Sequence, residues 1–379
     1  MPSSVDPNLS EDLAKPVDGS PKARPTKAET LLDRETKILG IIQKTRAKQK
    51  KFRDARINMA HGAGGKATAS LIEGVLAPAF GMDELADAGS IGDLVMTTDA
   101  FVVKPLVFPG GSIGELAVNG TVNDVAMAGA RPLALSLSLI LEEGLDSDVL
   151  KAEVDAIART AEAAGVRIIT GDTKVVERGK CDGMYVTTTG IGYRDPRATL
   201  SPGALRPGDR LLVSDRIGDH GSAIMLARGE FELGGDIESD TRCLWPAVDA
   251  LLDAAGPGLR CLRDATRGGV ASVLNELARS SSVAMLIEEA RIPVAPAVNG
   301  ACEILGLDPM YVANEGVFVV AVAPEHADAA LASLTAYGAQ AADIGEVKTD
   351  PAGTVLVKTA FGGKRVMDQL VGDPLPRIC

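Results

Sequence analysis

Four aspartates stand at the ends of predicted strands or helices, or inside segments that are otherwise apolar. Asp99 lies in TTDAF, Asp124 in NGTVNDV, Asp172 in TGDTK and Asp264 in RDATRGG. A carboxylate in apolar surroundings is unfavourable unless it is paired or bound to a metal. Several carboxylates that converge on one cleft would hold Mg²⁺ ions bridging the phosphates of a nucleotide. Any single one is more often a helix cap or a turn residue, so the predicted metal-nucleotide site depends on the set.

A glycine-rich segment, HGAGGK at His61–Lys66, precedes a predicted helix. Backbone N–H groups at a helix start, together with the helix dipole, favour an anion such as phosphate. The segment is not a Walker A loop, because Ala60 stands at the position of the first glycine and Ala67 at that of the Ser or Thr. A dinucleotide-binding loop and a plain helix-entry loop both stay open as interpretations. The candidate phosphate-binding residues are Gly62, Gly64, Gly65 and Lys66.

Three residues elsewhere could take part in proton transfer or carry a substrate. Lys174 ends a Gly-Asp-Thr-Lys turn and could donate to phosphate, although a surface lysine is the simpler interpretation. Glu315 precedes an apolar strand and could present a carboxylate at a cleft, or could belong to an ordinary turn. Cys379 ends the chain after a proline-rich segment that would act as a stiffened arm, and the neighbouring Arg377 would favour its thiolate. An incidental exposed thiol is the alternative for Cys379.

These residues need a scaffold of alternating strands and helices, which the sequence predicts from Met59 onward. β-Branched runs bounded by Gly or Asp indicate strands, and apolar spacing indicates helices. The predicted strands are Leu94–Phe101, Arg167–Asp172, Met184–Ile191, Arg210–Asp215, Val283–Glu289, Gly316–Ala323 and Thr354–Thr359. The predicted helices are Lys66–Leu76, Ile113–Ala128, Asp146–Ala164, His220–Arg228, Thr241–Ala255, Gly268–Arg279 and Pro324–Tyr337.

Proline and glycine mark the predicted domain boundary at Asp195–Asp209, which carries three prolines and two glycines. We expect an N-terminal extension over residues 1–56, disordered at first and then a basic helix from Lys27 to Arg56. The basic side of that helix would be a solvated face or, less simply, a docking arm for a nucleic acid or an acidic partner. A first domain over 57–198, a second over 199–368 and a mobile tail over 369–379 would follow.

Composition limits the classes of partner. The chain has 379 residues, a formal net charge of -12 and an aromatic content of 3%, so we expect it to bind neither nucleic acid nor an anionic membrane. No run of residues is long and apolar enough for a membrane span or a secretion signal, which predicts a soluble, cytoplasmic protein. Five cysteines without CxxC spacing, and three histidines, offer little for a zinc site. The cysteines are Cys181, Cys243, Cys261, Cys302 and Cys379.

The motifs, taken in order, resemble those of the carbamoyl dehydratases of hydrogenase maturation, the HypE family. The resemblance runs from about Met59 to the terminus and ends on Pro-Arg-Ile-Cys, which separates this family from its relatives. Two departures are Ala63, where the family loop has glycine, and the first 55 or so residues, which have no counterpart. The matching segments are HGAGGK, TTDAFVVKPLVFPGG, NGTVNDVAMAGARP, LILEEGL, TGDTKVVERG, RDATRGGVASVLNELA, ANEG and PRIC.

The resemblance implies a two-domain fold of the α+β or α/β class with ATP and Mg²⁺ bound between the domains. The sheet of the N-terminal domain would join that of a second subunit in a dimeric β-barrel with helices outside, followed by an α+β sandwich. Lys174 and Glu315 would serve the chemical step at Cys379. The implied metal ligands are Asp99, Asp124, Asp264 and, less directly, Asp87. The implied nucleotide contacts are Gly62, Gly64, Gly65, Lys66, Asp99, Asn123, Asp124, Asp172, Asp264, Thr266 and Arg267.

The reaction that the resemblance implies is ATP-dependent dehydration of a carbamoyl group on Cys379 to a thiocyanate, which supplies the cyanide ligand of the [NiFe]-hydrogenase iron. The implied partners are a second copy of the chain, the carbamoyltransferase HypF and the HypC–HypD complex. Two alternatives stay open. A selenophosphate synthetase would usually carry a reactive Cys in the glycine loop, where this chain has none. A non-catalytic scaffold would lack ATPase activity that depends on carbamoylation.

Overall fold

The computed structural model describes residues 52–82, 86–229, 236–338, 340–372, 375 and 377–379. Lys50–Cys379 forms one compact unit, and Met1–Gln49 lies outside the described residues. The basic helix predicted for Lys27–Arg56 falls largely outside them too. Its described end, residues 52–56, is not helical, so the prediction is wrong there.

The first half of the unit is built on a five-stranded sheet with the order β1-β2-β7-β5-β6. The strand β5 pairs antiparallel with β7 and parallel with β6, which lies at one edge of the sheet. The strands are β1 (Gly89–Ile91), β2 (Leu94–Phe101), β5 (Ala130–Glu142), β6 (Arg167–Val176) and β7 (Met184–Arg194), with β3 (Val107–Phe108) and β4 (Gly111–Ser112) forming a separate hairpin. The helices are α1 (Lys66–Leu71), a π-helical turn (Ile72–Leu76), α2 (Ala77–Phe80), α3 (Ile113–Met127) and α4 (Ser147–Ala163).

The second half is built on a seven-stranded sheet with the order β14-β13-β10-β12-β8-β11-β9. Strand β11, which lies between β8 and the edge strand β9, is buried along its whole length, in keeping with its uninterrupted apolar sequence FVVAV. The strands are β8 (Arg210–Val213), β9 (Leu259–Asp264), β10 (Ala284–Glu288), β11 (Phe318–Val322), β12 (Ala342–Lys348), β13 (Thr354–Lys358) and β14 (Lys364–Met367). The helices are α5 (Asp219–Ala227), α6 (Trp245–Ala255), α7 (Gly269–Ser280), α8 (Pro296–Leu305) and α9 (Ala327–Tyr337).

The helix α3 joins the two halves. Thirteen of its residues are buried, because one side packs on the first sheet and its last turn packs into the core of the second half. Ala126 and Met127 lie in one apolar cluster with Leu212 and Phe318 of the second sheet. Polar residues on α3 are therefore held between the two halves, where a site can form.

One face of the first sheet is exposed and partly apolar. Along β2 every second residue is exposed, and Tyr193, which pairs with Leu94, is 58% exposed. The first nine residues of β6 are exposed, so neither face of this edge strand is covered. Within the described residues the sheet does not close into the barrel that the family resemblance implies. An uncovered, partly apolar sheet edge calls for a partner.

All of the predicted strands and helices that fall within the described residues are present, most within a few residues of their predicted ends. The sequence analysis missed several elements, of which β5 is the longest. Its segment LALSLSL alternates leucine with serine or alanine, the two-residue period of a strand, and this signal was overlooked. The others are β1, β3, β4, β9, β12, β14, α2 and α8.

Candidate functional site

Three aspartates meet at the junction of the two halves. Carboxylate oxygens of Asp87, Asp124 and Asp264 all lie within 4.8 Å of one another. Asp124 comes from the buried helix α3, and Asp264 ends β9 and is only 6% exposed. Asp99 on β2 lies close enough for its charge to act on Asp124. The structure thus brings together the four carboxylates implied as metal ligands, from segments far apart in the chain.

Hydroxyl and guanidinium groups hold the four carboxylates in place. Thr97 Oγ1 lies 2.8 Å from Asp124 Oδ2, and Thr121 Oγ1 donates to Asp99 Oδ2 at 3.0 Å. Arg263 Nε donates to Asp87 Oδ1 at 2.8 Å. Because β2 and α3 each supply both a ligand candidate and a supporting hydroxyl, the fold orients these side chains before any ligand binds.

The cluster is electrostatically unfavourable without a cation. Burial raises the pKa of Asp87 to about 6, although Arg263 acts against this. Burial, followed by the charge of Asp99, raises the pKa of Asp124 well above its usual range. Burial and the charge of Asp87 do the same to the pKa of Asp264, and burial raises the pKa of Asp99. A divalent cation would relieve both the desolvation and the repulsion.

The donor set fits Mg²⁺. Its candidate ligands are all carboxylate oxygens, which Mg²⁺ prefers, and no His or Cys joins the group within the described residues. Ligand oxygens around Mg²⁺ lie about 3–4 Å apart, given metal–oxygen distances of about 2.1 Å, and the observed group is close to that spacing. The cluster can therefore anchor an oxygen-rich, anionic substrate through the metal.

The glycine loop is docked on the segment that leads to the tail. The Lys66 and Ala67 N–H groups donate to the Leu370 and Val371 carbonyls, at 2.8 and 3.4 Å, and Lys66 Nζ pairs with Asp368 at 2.8 Å. A Cβ at Gly65 would lie 2.5 Å from the Leu370 carbonyl oxygen. First-turn N–H groups that the sequence offered to a phosphate are thus occupied here, and an anion could bind them only if residues 370–371 moved away.

Gly64 brings the glycine loop against Arg267. It has a φ of +77°, and a Cβ there would lie 2.7 Å from the Cβ of Arg267, so a side chain would be strained and would collide. Arg267 Nη1 donates to the Gly62 carbonyl at 2.8 Å. The negative charge of Cys379 is the main cause that raises the pKa of Arg267, and the charge of Asp99 adds to it. Arg267 is therefore within electrostatic reach of both the chain terminus and the carboxylate cluster. Thr266 precedes it, half-buried.

Asn123 takes part in the architecture of the site. Its Nδ2 donates to the Arg242 and Glu315 carbonyls, at 2.9 and 3.3 Å, and its Oδ1 accepts from the Leu244 N–H at 2.8 Å. The side chain joins α3 to two segments of the second half. Its nucleotide contact, implied by the resemblance, stays a prediction.

Glu315 is a buried carboxylate with an oxygen that lacks a partner. The residue is 4% exposed, and Oε1 is buried without a hydrogen bond among the described residues. Burial, then the charges of Asp264 and Asp240, raise its pKa well above the usual range. An orphaned buried carboxylate oxygen beside a candidate metal site is a candidate for contact with substrate or for proton transfer.

Asp240 is a second such group, which the sequence analysis missed. Its Oδ1 accepts the Glu315 N–H at 2.9 Å, and its Oδ2 is buried without a partner among the described residues. Burial raises the pKa of Asp240 to about 6. Asp240 fixes the backbone that carries Glu315. The segment before α6 gave no periodic signal that could have revealed it.

The described residues of the tail are docked on the protein. The Val102 N–H donates to a terminal carboxylate oxygen of Cys379 at 3.0 Å, and Ile378 is 2% exposed. Arg377 pairs with Asp182 at 2.5 Å and donates to the Val102 carbonyl. The mobility of the tail, which was predicted from composition, stays a prediction. In this structure Cys379 lies against Val102 of the first half, and the negative charge of Cys379 acts on Arg267.

Lys174 and Asp172 lie elsewhere. Both are on the exposed edge strand β6, where they form an exposed ion pair of 2.6 Å with each other. The pKa of Asp172 is lowered by its hydrogen bond to Lys174. No contact between this pair and the carboxylate cluster is present among the described residues of the single chain. Their roles stay predictions that depend on what covers β6.

Comparison with models of known protein families shows the structural class to which this chain belongs. The family model of the AIR synthase related protein, N-terminal domain, matches residues 83–193, and that of the C-terminal domain matches residues 206–358. The first match covers the first sheet almost to the end of β7, and the second covers the second sheet except for β14. Residues 194–205 lie between the two matches. The chain has the two-domain α+β architecture of the AIR synthase related proteins.

Individual named proteins define the family within this class, because their sequences are similar to this chain over nearly their whole length. The chain is 51% identical over 341 residues to the carbamoyl dehydratase HypE of Rhodobacter capsulatus, with 86% of this chain and 99% of the relative covered. It is 44% identical over 337 residues to the carbamoyl dehydratase HypE of Escherichia coli K12, with 85% and 99% covered. The chain belongs to the HypE family of carbamoyl dehydratases and is an enzyme of hydrogenase maturation.

Solved structures of HypE proteins agree with this family assignment. A crystal structure of hydrogenase maturation protein HypE in complex with ATP superimposes with a TM-score of 0.73 at 43% identity, covering 86% of this chain and 100% of the other. A HypE–HypF complex gives a TM-score of 0.76 at 43% identity, covering 79% and 99%. Among the described residues, no helix is long and apolar enough to cross a membrane.

Proposed function

We propose that this enzyme uses ATP to dehydrate a carbamoyl group carried on Cys379, which converts the thiocarbamate S–C(=O)–NH₂ into the thiocyanate S–C≡N. The observation that carries the proposal is the placement of the tail. Cys379 is the last residue, it is docked by its own carboxylate on Val102, and its charge acts on Arg267 beside the carboxylate cluster. This product would be the source of the cyanide ligand of a [NiFe]-hydrogenase iron.

The chemistry proceeds in two steps. The carbamoyl oxygen attacks the γ-phosphorus of ATP, the bond to ADP breaks, and one N–H proton is lost. The product is the intermediate S–C(=NH)–O–phosphate, in which the phosphoryl group is on the former carbamoyl oxygen and the carbon stays bonded to the cysteine sulfur. The C–O bond then breaks, phosphate leaves with the oxygen, and the second N–H proton is removed as the C≡N bond forms. Glu315 is the proton acceptor in this proposal, which is supported by its buried Oε1 that has no partner among the described residues.

The resident metal would be held by Asp87, Asp99, Asp124 and Asp264. When bound, Mg²⁺ supplies charge neutralisation at the transferring phosphate. Glu315 must be ionised to remove a proton, so the proposal requires that its raised pKa falls when the substrate site is filled. Filling the aspartate cluster with a cation would lower the pKa of Glu315, because the charge of Asp264 is one cause of its rise.

A homodimer that covers the exposed face of the first sheet is also part of the proposal. On this face Tyr193 of β7 is 58% exposed and Met96 of β2 is 54% exposed, which is unfavourable for a monomer. Two such sheets, one from each copy, would together bury the edge strands and form the dimeric barrel. Lys174 would then face a covered interface, where a role in proton transfer becomes physically reasonable.

The proposed protein partners are those that the membership of the HypE family implies. One structural relative is a HypE–HypF complex, which supports a carbamoyltransferase of that kind as the source of the carbamoyl group. We extend the proposal to the HypC–HypD complex as the acceptor of cyanide. The chemistry needs a reduced thiol at Cys379, so the reducing cytoplasm is the proposed compartment.

Mass spectrometry of the tail peptide tests the function. The full chain is treated with a carbamoyl donor, such as cyanate, and then with Mg-ATP. Cys379 should gain one carbamoyl group and then lose one water, and only when ATP is hydrolysable. Cys379→Ala is the matched control and should show neither change. Location of an ATP-dependent loss of water on Cys181 or Cys302 would contradict the proposal.

A further inference from the structure

His220 makes direct contact with the tail and is not among the residues assigned above. It lies in the first turn of α5 and is fully buried. Its Nε2 is 2.7 Å from the Ile378 carbonyl oxygen, one residue before Cys379, and its Nδ1 is 2.8 Å from Ser239 Oγ. Phe108 packs edge-on against the ring, with centroids 5.5 Å apart. Every polar atom of the imidazole is thus used, and one of them holds the tail.

The contacts define the tautomer. A carbonyl oxygen can only accept, so Nε2 must carry the proton and donate to Ile378. The Ser239 hydroxyl accepts the Thr241 N–H at 3.2 Å and is free to donate its own proton to Nδ1. Burial lowers the pKa of His220 to about 4, so the ring stays neutral at neutral pH.

The helix that carries His220 is bonded to the segment that carries Glu315. The Gly218 N–H donates to Asn314 Oδ1 at 2.7 Å, and the Gly221 N–H donates to the Ala313 carbonyl at 3.0 Å. From the other side, Ser239 contacts His220, and the next residue, Asp240, accepts the Glu315 N–H. The tail contact and the candidate base therefore share one hydrogen-bonded frame.

Gly221 leaves room for the tail on the same helix. A Cβ at this position would lie 2.6 Å from Val312 Cγ1 and 3.3 Å from Leu375 Cδ1. Leu375 is buried, 4% exposed, against this part of α5. The sequence Gly218-Asp219-His220-Gly221 thus combines a donor for the tail with the absence of a side chain where the tail packs.

We propose that His220 is a positioning residue that places Cys379 relative to Glu315, by donating from neutral Nε2–H to the Ile378 carbonyl, with Ser239 setting the tautomer. The inference rests on the proposed function. His220 does not touch the reacting atoms. It acts on the geometry of the tail, which must be held within a fraction of an ångström for an efficient intramolecular step.

Three full-length variants test this. H220F keeps the ring and the Phe108 contact but removes the donor, H220Q restores an N–H donor, and S239A removes the hydroxyl that sets the tautomer. Each is carbamoylated with cyanate, and the rate of ATP-dependent water loss at Cys379 is measured in a single turnover. We expect H220F to slow the step by roughly tenfold to a hundredfold, because a buried carbonyl loses its donor. H220Q should recover part of the rate, and S239A should be intermediate.

Two further readouts separate positioning from a structural role. Mg-ATP affinity, measured by calorimetry, should be unchanged in all three variants. In ¹⁵N-histidine NMR spectra, which contain only three native histidines, the His220 signal should report a neutral Nε2–H form and should shift when residues 377–379 are deleted. Equal rates in H220F and the parent would overturn the inference, as would a parallel loss of Mg-ATP affinity in all variants or an NMR signal insensitive to the deletion.

If H220F fails to fold, H220Q and S239A carry the test, because both retain polar groups in the cavity. S239A should then slow water loss with unchanged Mg-ATP affinity, and a normal rate in S239A together with an unshifted NMR signal would overturn the inference. If the parent chain itself loses no water from carbamoylated Cys379 with Mg-ATP, the proposed function fails. The contact between His220 and the tail would still be tested by the NMR shift.

Discussion

At the scale of single residues, the site is a set of buried carboxylates that are unfavourable until a ligand arrives. Asp124 and Asp264 have a strongly raised pKa because burial is reinforced by neighbouring carboxylates. Stability and ligand binding should therefore oppose each other at these positions, as is common where a protein keeps like charges together for function.

Asp124→Asn should raise the melting temperature of the ligand-free protein by a few degrees, because it removes one buried charge of the cluster. It should also weaken Mg-ATP binding by about tenfold or more, since an amide is a poor ligand for Mg²⁺. Thermal unfolding with and without Mg-ATP, and calorimetry, measure the two effects. Asp148→Asn, at a site 85% exposed on α4, is the matched control and should change neither. A lower melting temperature for Asp124→Asn, or unchanged affinity, contradicts the assignment.

Asp240 should make stability depend on pH. Its pKa is raised from 3.8 to about 6 by burial, so below pH 3.8 the group is protonated in both states, and above pH 6 its ionisation opposes folding. The loss corresponds to about 3 kcal/mol at high pH. Asp240→Asn keeps the acceptor for the Glu315 N–H and should raise the melting temperature at pH 8 by several degrees, but not at pH 4. An equal shift at both values would show that ionisation is not the cause.

At the scale of elements, the tail depends on contacts that compensate for an unfavourable backbone. Arg377 has a φ of +60°, in the left-handed region that favours glycine. Its side chain pairs with Asp182, lies 5.8 Å from the centre of the Tyr185 ring and donates to Val102. These contacts, together with the buried Ile378, keep the end of the chain docked.

Arg377→Ala should release the tail. We expect alkylation of Cys379 to become several times faster, because one ion pair and two hydrogen bonds are lost while the backbone strain persists. Mg-ATP affinity should be unchanged. Peptide mapping after brief treatment with iodoacetamide measures the rate, and Lys151→Ala, remote on α4, is the control. An unchanged alkylation rate would show that the tail is held by other contacts.

At the scale of the whole molecule, the uncovered first sheet is the main observation behind the proposed homodimer. Its edge strand β6 carries Lys174 and is exposed on both faces. A partner copy would bury the apolar side chains of Met96 and Tyr193 on this face, at a gain of about 25 cal/mol per Å².

Met96→Lys should convert the protein from dimer to monomer at micromolar concentration, because it introduces a charge on the face to be buried. Light scattering measures the mass, and circular dichroism verifies that the fold persists. Ile304→Lys changes a residue that is 64% exposed on α8, outside this face, and should leave the dimer intact. A parent protein that is monomeric, or a Met96→Lys variant that stays dimeric, contradicts the proposed interface.

The sequence alone determined most of what depends on local pattern and on motifs. The bounds of β2 and α3 follow from β-branched runs and apolar spacing, which are local properties. Asp99, Asp124 and Asp264 could be recognised because a carboxylate in an apolar segment is unfavourable without a ligand. The family could be identified because its motifs, including the terminal cysteine, are contiguous stretches of chain.

The tertiary structure decided what depends on distance between segments that are remote in the chain. Only the fold brings His220 to Ile378 and Asp240 to Glu315, because each contact joins segments that lie far apart in the chain. Only the fold shows that the first-turn N–H groups of α1 are occupied by Leu370 and Val371. The exposure of β6 was equally hidden, since a strand's sequence reports its own pattern, whereas its burial depends on which surfaces the rest of the molecule brings against it.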